Sequence, residues 1–311
     1  MIEIKKAAEI IKKGGVVAFP TETVYGLGAD AANQQACLNI YKLKNRPGTN
    51  PLIVHVSTIK QAQKLAEFND DAKKISNLWP GPITLVLPKK QDTNIAECVT
   101  AGLDTIALRI PADLTALNLI NEAGCVVAAP SANISGRLSS TTVEHVKKNF
   151  GSEVFTLNSN KDINRVGLES TIIDLTSAEP TILRQGFFTQ EMLEKTLNKK
   201  ISIAEKGSKI KAPGMLLKHY APLTDLRLNA TSLNENEVGL NFGNSGLNAE
   251  KSINLSASGD LSEASLNLYE YLHILDSHCQ KNKIASIAVA SIPNSGIGIA
   301  INDRLSRAAY K

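Results

Sequence analysis

VVAFPTETVYGLGADA, residues 16–31, is the stretch from which the fold of this chain is best approached. Its first residues are an apolar run closed by Pro20, which predicts a short buried strand. Thr21, Glu22 and Thr23 then supply two hydroxyls and a carboxylate where that strand ends, and two glycines allow close approach of backbone. These features fit a polar turn with helix-capping residues as well as a ligand-binding loop, so the stretch alone favours neither.

The segments around this stretch alternate between strand and helix patterns. Apolar runs predict strands at 16–20, 52–56, 83–87, 105–110, 125–130, 171–175 and 181–184. Helical periodicity predicts helices at 3–13, 33–43, 113–123 and 190–199, and one or two helices at 59–78. Because the helices are not inserted with full regularity, we expect an α/β domain with a mixed sheet rather than a purely parallel one.

Changes in pattern divide the chain into three parts. Residues 1–203 form the first domain, residues 204–224 a linker, and residues 225–311 a smaller, doubly wound, Rossmann-like α/β domain. The linker has no periodicity, yet its His219-Tyr220 pair is unlike a plain spacer and indicates a segment that lies against something. In the last part, strands are predicted at 226–228, 238–242 and 284–292, and helices at 261–280 and 298–309.

The composition is that of an ordinary globular protein. The 311 residues are 43% hydrophobic and 21% charged, which suggests two domains with apolar cores. No apolar run approaches the roughly 20 residues of a membrane helix, and the N-terminus lacks the apolar region of a signal peptide. The four cysteines show no C-x-x-C spacing, which is typical of a reducing compartment. We therefore expect a cytoplasmic protein with no membrane partner.

The net charge of +4 is unevenly placed. Residues 1–225 carry 27 Lys and Arg against 22 Asp and Glu, whereas residues 226–311 carry 7 against 8. This mild surplus fits binding of a small anion, transient contact with tRNA, or only a solvated surface. A module that held RNA without chemistry would need a basic stripe with stacking aromatics, and aromatic residues make up only 5% of the chain.

Standard nucleotide and hydrolase motifs are absent from the sequence. There is no G-x-x-x-x-G-K-[ST] loop, and Gly26 and Gly28 are not followed by the third glycine of a dinucleotide fingerprint. There is also no H-E-x-x-H or G-x-S-x-G. Any nucleotide site must therefore be dispersed along the chain.

Polar residues also gather after the later strands. In KLKNRPGTNPLIVHV (42–56), Lys44 and Arg46 suit a phosphate or carboxylate, although cations are also common at helix C-termini. His55 in the same stretch fits a core histidine as well as a ligand. Arg109 ends a further predicted strand.

The loop AAPSANISGRLSSTT (128–142) follows a predicted buried strand. It carries more hydroxyl and amide groups than one helix cap needs, among them Ser131, Asn133 and Ser139. Such groups at the carboxyl end of a strand are typical of a ligand crevice or an anion-binding nest in an α/β sheet. GLESTIIDL (167–175) and LRQG (183–186) add Ser170, Thr171 and Arg184.

Taken together, six of these stretches closely resemble the YrdC/Sua5 domain of threonylcarbamoyl-AMP synthases. They are PTETVYGLGADA, KNRP with NPLIVHV, WPGPITLVL, LRIPA, PSANISG and GLESTIIDL, in the family's order. APGMLLKHYAP resembles the Sua5-type linker, and the remainder resembles the Sua5 C-terminal domain. The resemblance implies a YrdC-like twisted mixed-sheet domain with a ligand crevice. It also implies condensation of L-threonine, bicarbonate and ATP to threonylcarbamoyl-AMP, for N6-threonylcarbamoyladenosine at position 37 of ANN-decoding tRNAs.

The resemblance further implies roles for individual residues. The signature K-x-R and S-x-N pairs are Lys44, Arg46, Ser131 and Asn133. The implied threonine-binding residues are Thr23, His55, Arg109, Ser131 and Ser170. The implied ATP-binding residues are Arg46, Asn50, Thr105, Ser139, Arg184 and Tyr220. Tyr25 is a further candidate for closing the site. Mg²⁺ is expected on the ATP phosphates, held mostly by substrate and water rather than by a protein metal site.

Two positions depart from the family pattern. Asn45 stands where glycine is common, and Ala212 stands where serine is common. Neither change removes a group from the signature pairs. A carbamoyl-transferring maturation factor with the same domain is the rival enzyme, but such proteins carry additional N-terminal domains and Cys-rich zinc motifs that this sequence does not show.

Overall fold

Two β-sheets organise the computed structural model, which describes residues 2–158, 166–205, 207, 211–215 and 219–310. The larger sheet has ten strands among these residues. They are Val17–Phe19 (β1), Gly26–Asp30 (β2), Ile53–His55 (β3), Ile83–Pro88 (β4), Thr105–Arg109 (β5), Val127–Ala128 (β6), Phe155–Thr156 (β7), Thr171–Asp174 (β8), Thr181–Arg184 (β9) and Ser202–Ile203 (β10).

The larger sheet is mixed, as the sequence predicted. Its strand order is β10-β9-β8-β4-β5-β3-β6-β2-β1-β7. β3 runs parallel to β5, and β4 runs parallel to β8, whereas β4 and β5 are antiparallel to each other. The parallel pairing of β3 and β5 places His55 directly beside Arg109 at the carboxyl ends of both strands.

Helices cover the larger sheet, and polar side chains cap most of their N-termini. The helices are Ile2–Lys12 (α1), Gln34–Lys44 (α2), Ile59–Leu65 (α3), Asp70–Ile75 (α4), Glu97–Thr100 (α5), Leu114–Ala123 (α6), Val143–Phe150 (α7) and Gln190–Leu197 (α8). Their N-cap side chains accept backbone N–H groups at Asn33, Thr58, Asn69, Asp113, Thr142 and Thr189. Residues 59–78, where one or two helices were predicted, contain two helices and a short 3-10 turn.

The strand β2 is the main difference from the elements predicted for the first domain. Residues 26–30 were expected to be loop, because a strand containing two glycines shows no β-propensity or alternation. In the structure, a Cβ on Gly28 would lie 2.6 Å from the Phe19 ring and 2.7 Å from Val127. Glycine is used here because neighbouring side chains occupy the space over the strand.

The second sheet has four described strands, all paired in parallel. They are Asp225–Ala230 (β11), Glu237–Asn241 (β12), Ile253–Asn254 (β13) and Ser286–Ala290 (β14), in the order β11-β14-β12-β13. Two helices accompany them, Leu261–Asn282 (α9) and Gly298–Ala308 (α10). This arrangement agrees with the predicted smaller α/β domain. No helix within the described ranges combines the length and apolarity needed to cross a membrane.

The segment predicted as a linker runs between the two sheets. Residues 206, 208–210 and 216–218 of the predicted linker lie outside the described residues. The described part packs Ala212 and Met215 against the larger sheet, where they join a buried cluster with Ile53 and Ala107. The chain after Tyr220 then leads into β11.

The apolar core of the second domain extends into the first domain. Val24, Leu138 and Leu168 of the first domain cluster with Leu268 and other buried residues of the second. Where the domains meet, the Ser265 hydroxyl of α9 donates to the Val166 carbonyl at 2.8 Å. The backbone of Gly167 lies against α9 so closely that a Cβ there would come within 2.3 Å of the Ser265 carbonyl oxygen.

We expect Gly167→Ala to destabilise the contact between the domains. Gly167 has φ +77°, so alanine adds left-handed backbone strain to the steric clash. The free energy of unfolding should fall by about 2–4 kcal/mol. Chemical denaturation measures this, with Gly48→Ala as the matched control because nothing lies within 4 Å of a Cβ there. Equal stability of the two variants would show that this contact does not hold the domains together.

Candidate active site

A cavity of about 500 Å³ lies over the larger sheet, at the carboxyl ends of β3 and β5. The loop after β1, the loop after β6, the end of β9 and the linker complete its walls. Seven of the residues assigned by resemblance line it, namely Thr23, Arg46, His55, Arg109, Ser131, Arg184 and Tyr220; Tyr25 lines it too.

Arg109 is held at one end of the cavity by the loop after β1. Its Nη2 donates to the Thr23 hydroxyl at 3.0 Å and lies 2.7 Å from the Glu22 carboxylate. Both charged side chains are about 95% buried or more, with 5% and 2% exposure. The Nε of Arg109 has no hydrogen-bond partner in the protein. The guanidinium is thus fixed in place and retains a donor for a ligand.

His55 lies beside Arg109 and is neutral near pH 7. Burial, followed by the positive charge of Arg109, lowers the pKa of His55 to about 3. Its ring packs edge-on against Phe19, with 6.0 Å between the ring centroids. Its Nδ1 has no hydrogen-bond partner in the protein. A neutral imidazole can exchange a hydrogen bond with a ligand without adding charge.

Lys44 supports the site from behind rather than lining the cavity. It is the last residue of α2, and its Nζ donates to the carbonyl of Ser131 at 2.6 Å and to the carbonyl of Asn133. Because the side chain is only 1% exposed, burial lowers the pKa of Lys44 well below its usual value. The lysine therefore ties α2 to the loop after β6.

Asn45 explains how the K-x-R pair is spaced. It is the C-cap of α2 and has a left-handed backbone with φ 50°. Asparagine tolerates this conformation better than other non-glycine residues, so it can replace the glycine common in the family. The turn directs Lys44 behind the loop and Arg46 into the cavity wall.

Arg46 is anchored by the backbone that follows it. Its Nε donates to the Asn50 carbonyl at 3.0 Å and its Nη2 to the Pro51 carbonyl at 2.7 Å. Burial lowers the pKa of Arg46 to about 10, so it stays charged at neutral pH. The cation is thus presented to the cavity by two neutral acceptors, which leave its charge uncompensated.

The loop after β6 is shaped by Asn133. Its Nδ2 donates to the Ile134 carbonyl at 2.8 Å and to the Arg137 carbonyl at 2.9 Å. Asn133 is completely buried and does not line the cavity, whereas Ser131 does. The backbone N–H of Ala132 donates to the Tyr25 carbonyl at 2.7 Å, which joins this loop to the loop after β1.

Arg184 and Ser170 are in direct contact. Arg184 donates from Nε to the Ser170 carbonyl and from Nη2 to the Ser170 hydroxyl, both at 3.0 Å. The same hydroxyl is 2.8 Å from that of Thr84 on β4. Burial lowers the pKa of Arg184 below its usual value. Arg184 lines the cavity, and Ser170 lies behind it.

The linker covers the cavity, and contacts with both domains hold it in place. Lys211 forms an ion pair with the buried Asp174 of β8, at 2.8 Å. At the other end of the linker, the ring of Tyr220 packs between the His219 ring, with 4.0 Å between centroids, and the Arg304 guanidinium, 4.9 Å away. Tyr220 is 1% exposed, and burial raises the pKa of its hydroxyl. The expected lid therefore lies against the site in this structure.

Three further residues of the implied ATP set do not line the cavity. Asn50 is buried, and both polar atoms of its side chain lack partners in the protein. Ser139 is buried and donates its hydroxyl to Glu169. Thr105 begins β5, at the end opposite Arg109, although strand alternation places both on one face of the sheet.

Glu169 lines the cavity and is an ionised residue that the sequence did not assign. Its carboxylate accepts from Tyr269 at 3.0 Å and pairs with Arg304 Nε at 2.8 Å, so the second domain reaches the site through it. Burial alone would raise the pKa of Glu169, but Arg304, Arg184 and the hydrogen bond from Ser139 lower it to about 2. Its position before Ser170 in the E-S-T stretch was the available signal. No pattern in the sequence predicted its distant partners, Tyr269 and Arg304.

Unpartnered polar atoms converge on the cavity. Besides Arg109 Nε and His55 Nδ1, the linker contributes His219 Nδ1 and the Tyr220 hydroxyl, all buried and without a hydrogen-bond partner among the described residues. Buried polar groups are normally paired, since leaving one unpaired costs about 1–3 kcal/mol. The cavity is therefore complementary to a polar ligand.

The charge of the walls selects an anion. Arg46, Arg109 and Arg184 line the cavity against the single lining carboxylate of Glu169, which is already paired with Arg304. Within the described part of the chain, no group of three or more His, Cys, Asp or Glu side chains is placed to hold a metal ion. Fixed guanidinium groups suit carboxylates and phosphates.

Comparison with known proteins agrees with the fold and the site. Residues 9–186 match the Sua5/YciO/YrdC family model, described as "Telomere recombination", and residues 188–310 match "Threonylcarbamoyl-AMP synthase, C-terminal domain". The threonylcarbamoyl-AMP synthases of Pyrococcus abyssi and Bacillus subtilis are each 36% identical over 99% of this chain, which spans 94% and 93% of their lengths.

A solved structure gives the same result in three dimensions. The crystal structure of P. abyssi Sua5 complexed with L-threonine has a TM-score of 0.87 and 35% identity, covering 98% of this chain and 94% of that one. Fold and site thus define a two-domain α/β nucleotidyl-transfer-type enzyme. The chain belongs to the Sua5/YrdC family of threonylcarbamoyl-AMP synthases, in the form with the additional C-terminal domain.

We expect Lys44→Met to lower stability although it keeps a side chain of similar length. The carbonyls of Ser131 and Asn133 would lose their buried donor, at a cost of about 2–4 kcal/mol in the free energy of unfolding. Chemical denaturation measures the change. Lys42→Met, on the exposed side of the same helix, is the control. If both variants unfold at one denaturant concentration, Lys44 does not hold the loop.

We also expect stability to fall on mild acidification. Burial lowers the pKa of both His55 and His219 from 6.5 to about 3, so between these values the unfolded chain binds more protons. The free energy of unfolding should therefore decrease below about pH 6.5, by about 1.4 kcal/mol per pH unit for each imidazole. Denaturation at several pH values from about 7 to 5 measures the slope. His55→Gln should reduce this slope by the contribution of one imidazole, about 1.4 kcal/mol per pH unit. An unchanged slope would contradict the lowered pKa of His55.

Proposed function

We propose that this protein condenses L-threonine, bicarbonate and ATP into L-threonylcarbamoyladenylate and pyrophosphate. The observation that carries the proposal is the convergence of three fixed arginines and a neutral histidine in a cavity covered by the linker. Full-length relatives at 36% identity are named for this product, and the similar P. abyssi structure was solved with L-threonine.

The end of the cavity at Arg109 is suited to threonine. The free Nε of Arg109 offers a donor to the amino-acid carboxylate, while Glu22 and Thr23 keep the guanidinium from turning away. His55 offers an unpartnered ring nitrogen to the threonine amine or hydroxyl. Ser131 lines the wall on the nucleotide side, and Ser170 acts through its contact with Arg184.

The end at Arg46 and Arg184 is suited to the phosphates of ATP. Both guanidinium groups line the cavity, and Tyr220 of the linker closes over it. Asn50, Thr105 and Ser139 are proposed to support nucleotide binding from the surrounding walls. Mg²⁺ enters as part of the MgATP substrate, because phosphates and water satisfy its octahedral preference without a protein cage.

The reaction needs placement and charge neutralisation more than proton transfer. The threonine amine adds to bicarbonate with loss of water, which gives a carbamate. A carbamate oxygen then attacks the α-phosphorus of ATP, and the bond to pyrophosphate breaks. Arg46 and Arg184 are preorganised to offset the negative charge that develops on the phosphates.

The remaining groups keep these cations in position and keep water out. Lys44 braces the loop that carries Ser131, and its charge adds to the positive potential behind that loop. The linker shields the adenylate, a mixed anhydride that water would hydrolyse. If Lys44 no longer braced the loop, or if the linker no longer shielded the adenylate, the yield of product would fall although the groups that touch the substrates were still present.

The product is proposed to serve N6-threonylcarbamoyladenosine formation at position 37 of ANN-decoding tRNAs. A second enzyme must transfer the threonylcarbamoyl group, so contact with tRNA or a tRNA-modifying protein is transient. The four cysteines are free, two of them buried, which agrees with the cytoplasm as the proposed compartment.

Pyrophosphate release by the purified full chain tests the proposal. With MgATP, release should require both L-threonine and bicarbonate. Arg46→Ala should lower the rate by about 100-fold or more, because a preorganised cation at the phosphates is lost. Lys42→Ala, which removes an exposed cation from the same helix region, is the control.

Two results would contradict the proposal. One is pyrophosphate release that does not depend on threonine. The other is a folded protein that binds tRNA yet releases no pyrophosphate with all three substrates, which would favour an RNA-binding module.

A further inference from the structure

A second cavity, of about 650 Å³, lies where the first domain, the end of the linker and α9 meet. Its walls come from the loop before α7 and from α7 itself, from residues 221–223, and from one face of α9. Among the described residues, none that lines it also lines the active-site cavity.

Two uncompensated cations stand at the rim of this cavity. Arg137 and Lys148 are both exposed, and neither forms an ion pair with a carboxylate among the described residues. Lys148 Nζ has only the neutral hydroxyl of Ser277, at 2.8 Å. The Asp276 carboxylate also lines the cavity, and the backbone N–H and hydroxyl of Thr224 both donate to it at 2.8 Å. Among the described lining residues two cations thus face one carboxylate, and this excess of positive charge favours an anion.

The walls below these cations include an apolar part. Leu138 and Pro222 line the cavity from opposite walls, and Leu223 is 57% exposed beside them. The imidazole of His273 stacks on that of His145, with ring centroids 3.8 Å apart, and provides a flat surface in the same region. An apolar wall under a cationic rim matches a ligand with a flat or apolar body and one anionic group.

The cavity is connected to the active site through two short covalent and hydrogen-bonded paths. The backbone carbonyl of Arg137 accepts from Asn133, the asparagine of the S-x-N pair, at 2.9 Å. On the opposite wall, the N–H of Ala221 donates to the Gly136 carbonyl at 2.8 Å, and the preceding residue is Tyr220 of the linker. A ligand that bridges these walls would hold the linker end against the loop.

We propose that this cavity is a second binding site, for a small amphipathic anion, and that its occupancy favours the covering position of the linker. The carboxylate or phosphate of the ligand lies between Arg137 and Lys148, and its apolar body contacts Leu138, Pro222 and Leu223. This site is separate from the proposed catalytic function, and binding to it can be measured without turnover.

Binding of the fluorescent aromatic sulfonate 8-anilinonaphthalene-1-sulfonate to the full chain tests the site. We expect saturable binding that Arg137→Ala with Lys148→Ala weakens about tenfold, since two charge-assisted contacts are lost. Leu223→Asn, on the opposite wall, should also weaken it. Lys147→Ala, the exposed neighbour on α7 that does not line the cavity, is the matched control.

The variant Arg46→Ala distinguishes probe binding at this cavity from probe binding at the active site. Binding that persists in Arg46→Ala and is lost in the Arg137 and Lys148 double variant supports the proposal. Binding that the double variant retains, or that Arg46→Ala abolishes, overturns it.

Competition identifies the source of the anionic group. AMP and hexanoate are titrated against the bound probe in the Arg46→Ala background. Displacement by AMP assigns a phosphate ligand, and displacement by hexanoate assigns a carboxylate ligand. If neither displaces the probe, the cavity is not a site for this class of ligand.

Coupling to the linker is measured as L-threonine affinity with and without the displacing ligand in the unmodified protein. The affinity should rise about threefold or more when the second site is filled, and the rise should disappear in the Arg137 and Lys148 double variant. An equal rise in that variant would show that the ligand acts elsewhere.

Discussion

The buried carboxylate of Glu169 is the constraint on which the rest of the structure depends. It accepts from Ser139 and Tyr269 and pairs with Arg304, so one anion joins the loop after β6, α9 and α10. A buried ion whose partner is removed costs about 3–5 kcal/mol, because the remaining charge has no solvent to stabilise it. A variant that lacked Arg304 would leave Glu169 in that position. This ion pair therefore couples the packing of the second domain to that of the first.

The same ion orders the groups that face the substrates. Glu169 precedes Ser170, which holds Arg184 by two hydrogen bonds, and Arg304 lies over the ring of Tyr220. One arginine from the end of the chain thus fixes both a cavity wall and the segment that covers the cavity. The second domain adds no atoms that line the site, but it determines where the lining atoms are.

The sequence predicted the elements whose apolar pattern is regular, and it failed where other forces decide. LIVHV and TIALRI gave β3 and β5, and the register that pairs His55 with Arg109 follows from them. The glycine-rich β2 was missed because its glycines are needed to make room for the Phe19 ring, and glycine has no strand propensity. Seven of the residues implied by the resemblance line one cavity, but the orientation of the motif side chains was not predictable. The position of Lys44 behind the loop depends on the turn at Asn45, and the partners of Glu169 in the second domain, Tyr269 and Arg304, lie 100 residues or more away along the chain.

The unpartnered polar atoms of the cavity link the abundance of this protein to its substrate. The folded chain without ligand leaves Arg109 Nε, His55 Nδ1 and the Tyr220 hydroxyl unsatisfied, so it holds less stability than its packing would provide. A ligand that pairs them adds RT ln(1 + [L]/Kd), about 2.7 kcal/mol at a hundredfold excess over Kd. A cell short of threonine would therefore have a larger unfolded fraction of this enzyme exposed to proteases. Its turnover would follow the supply of the amino acid it consumes.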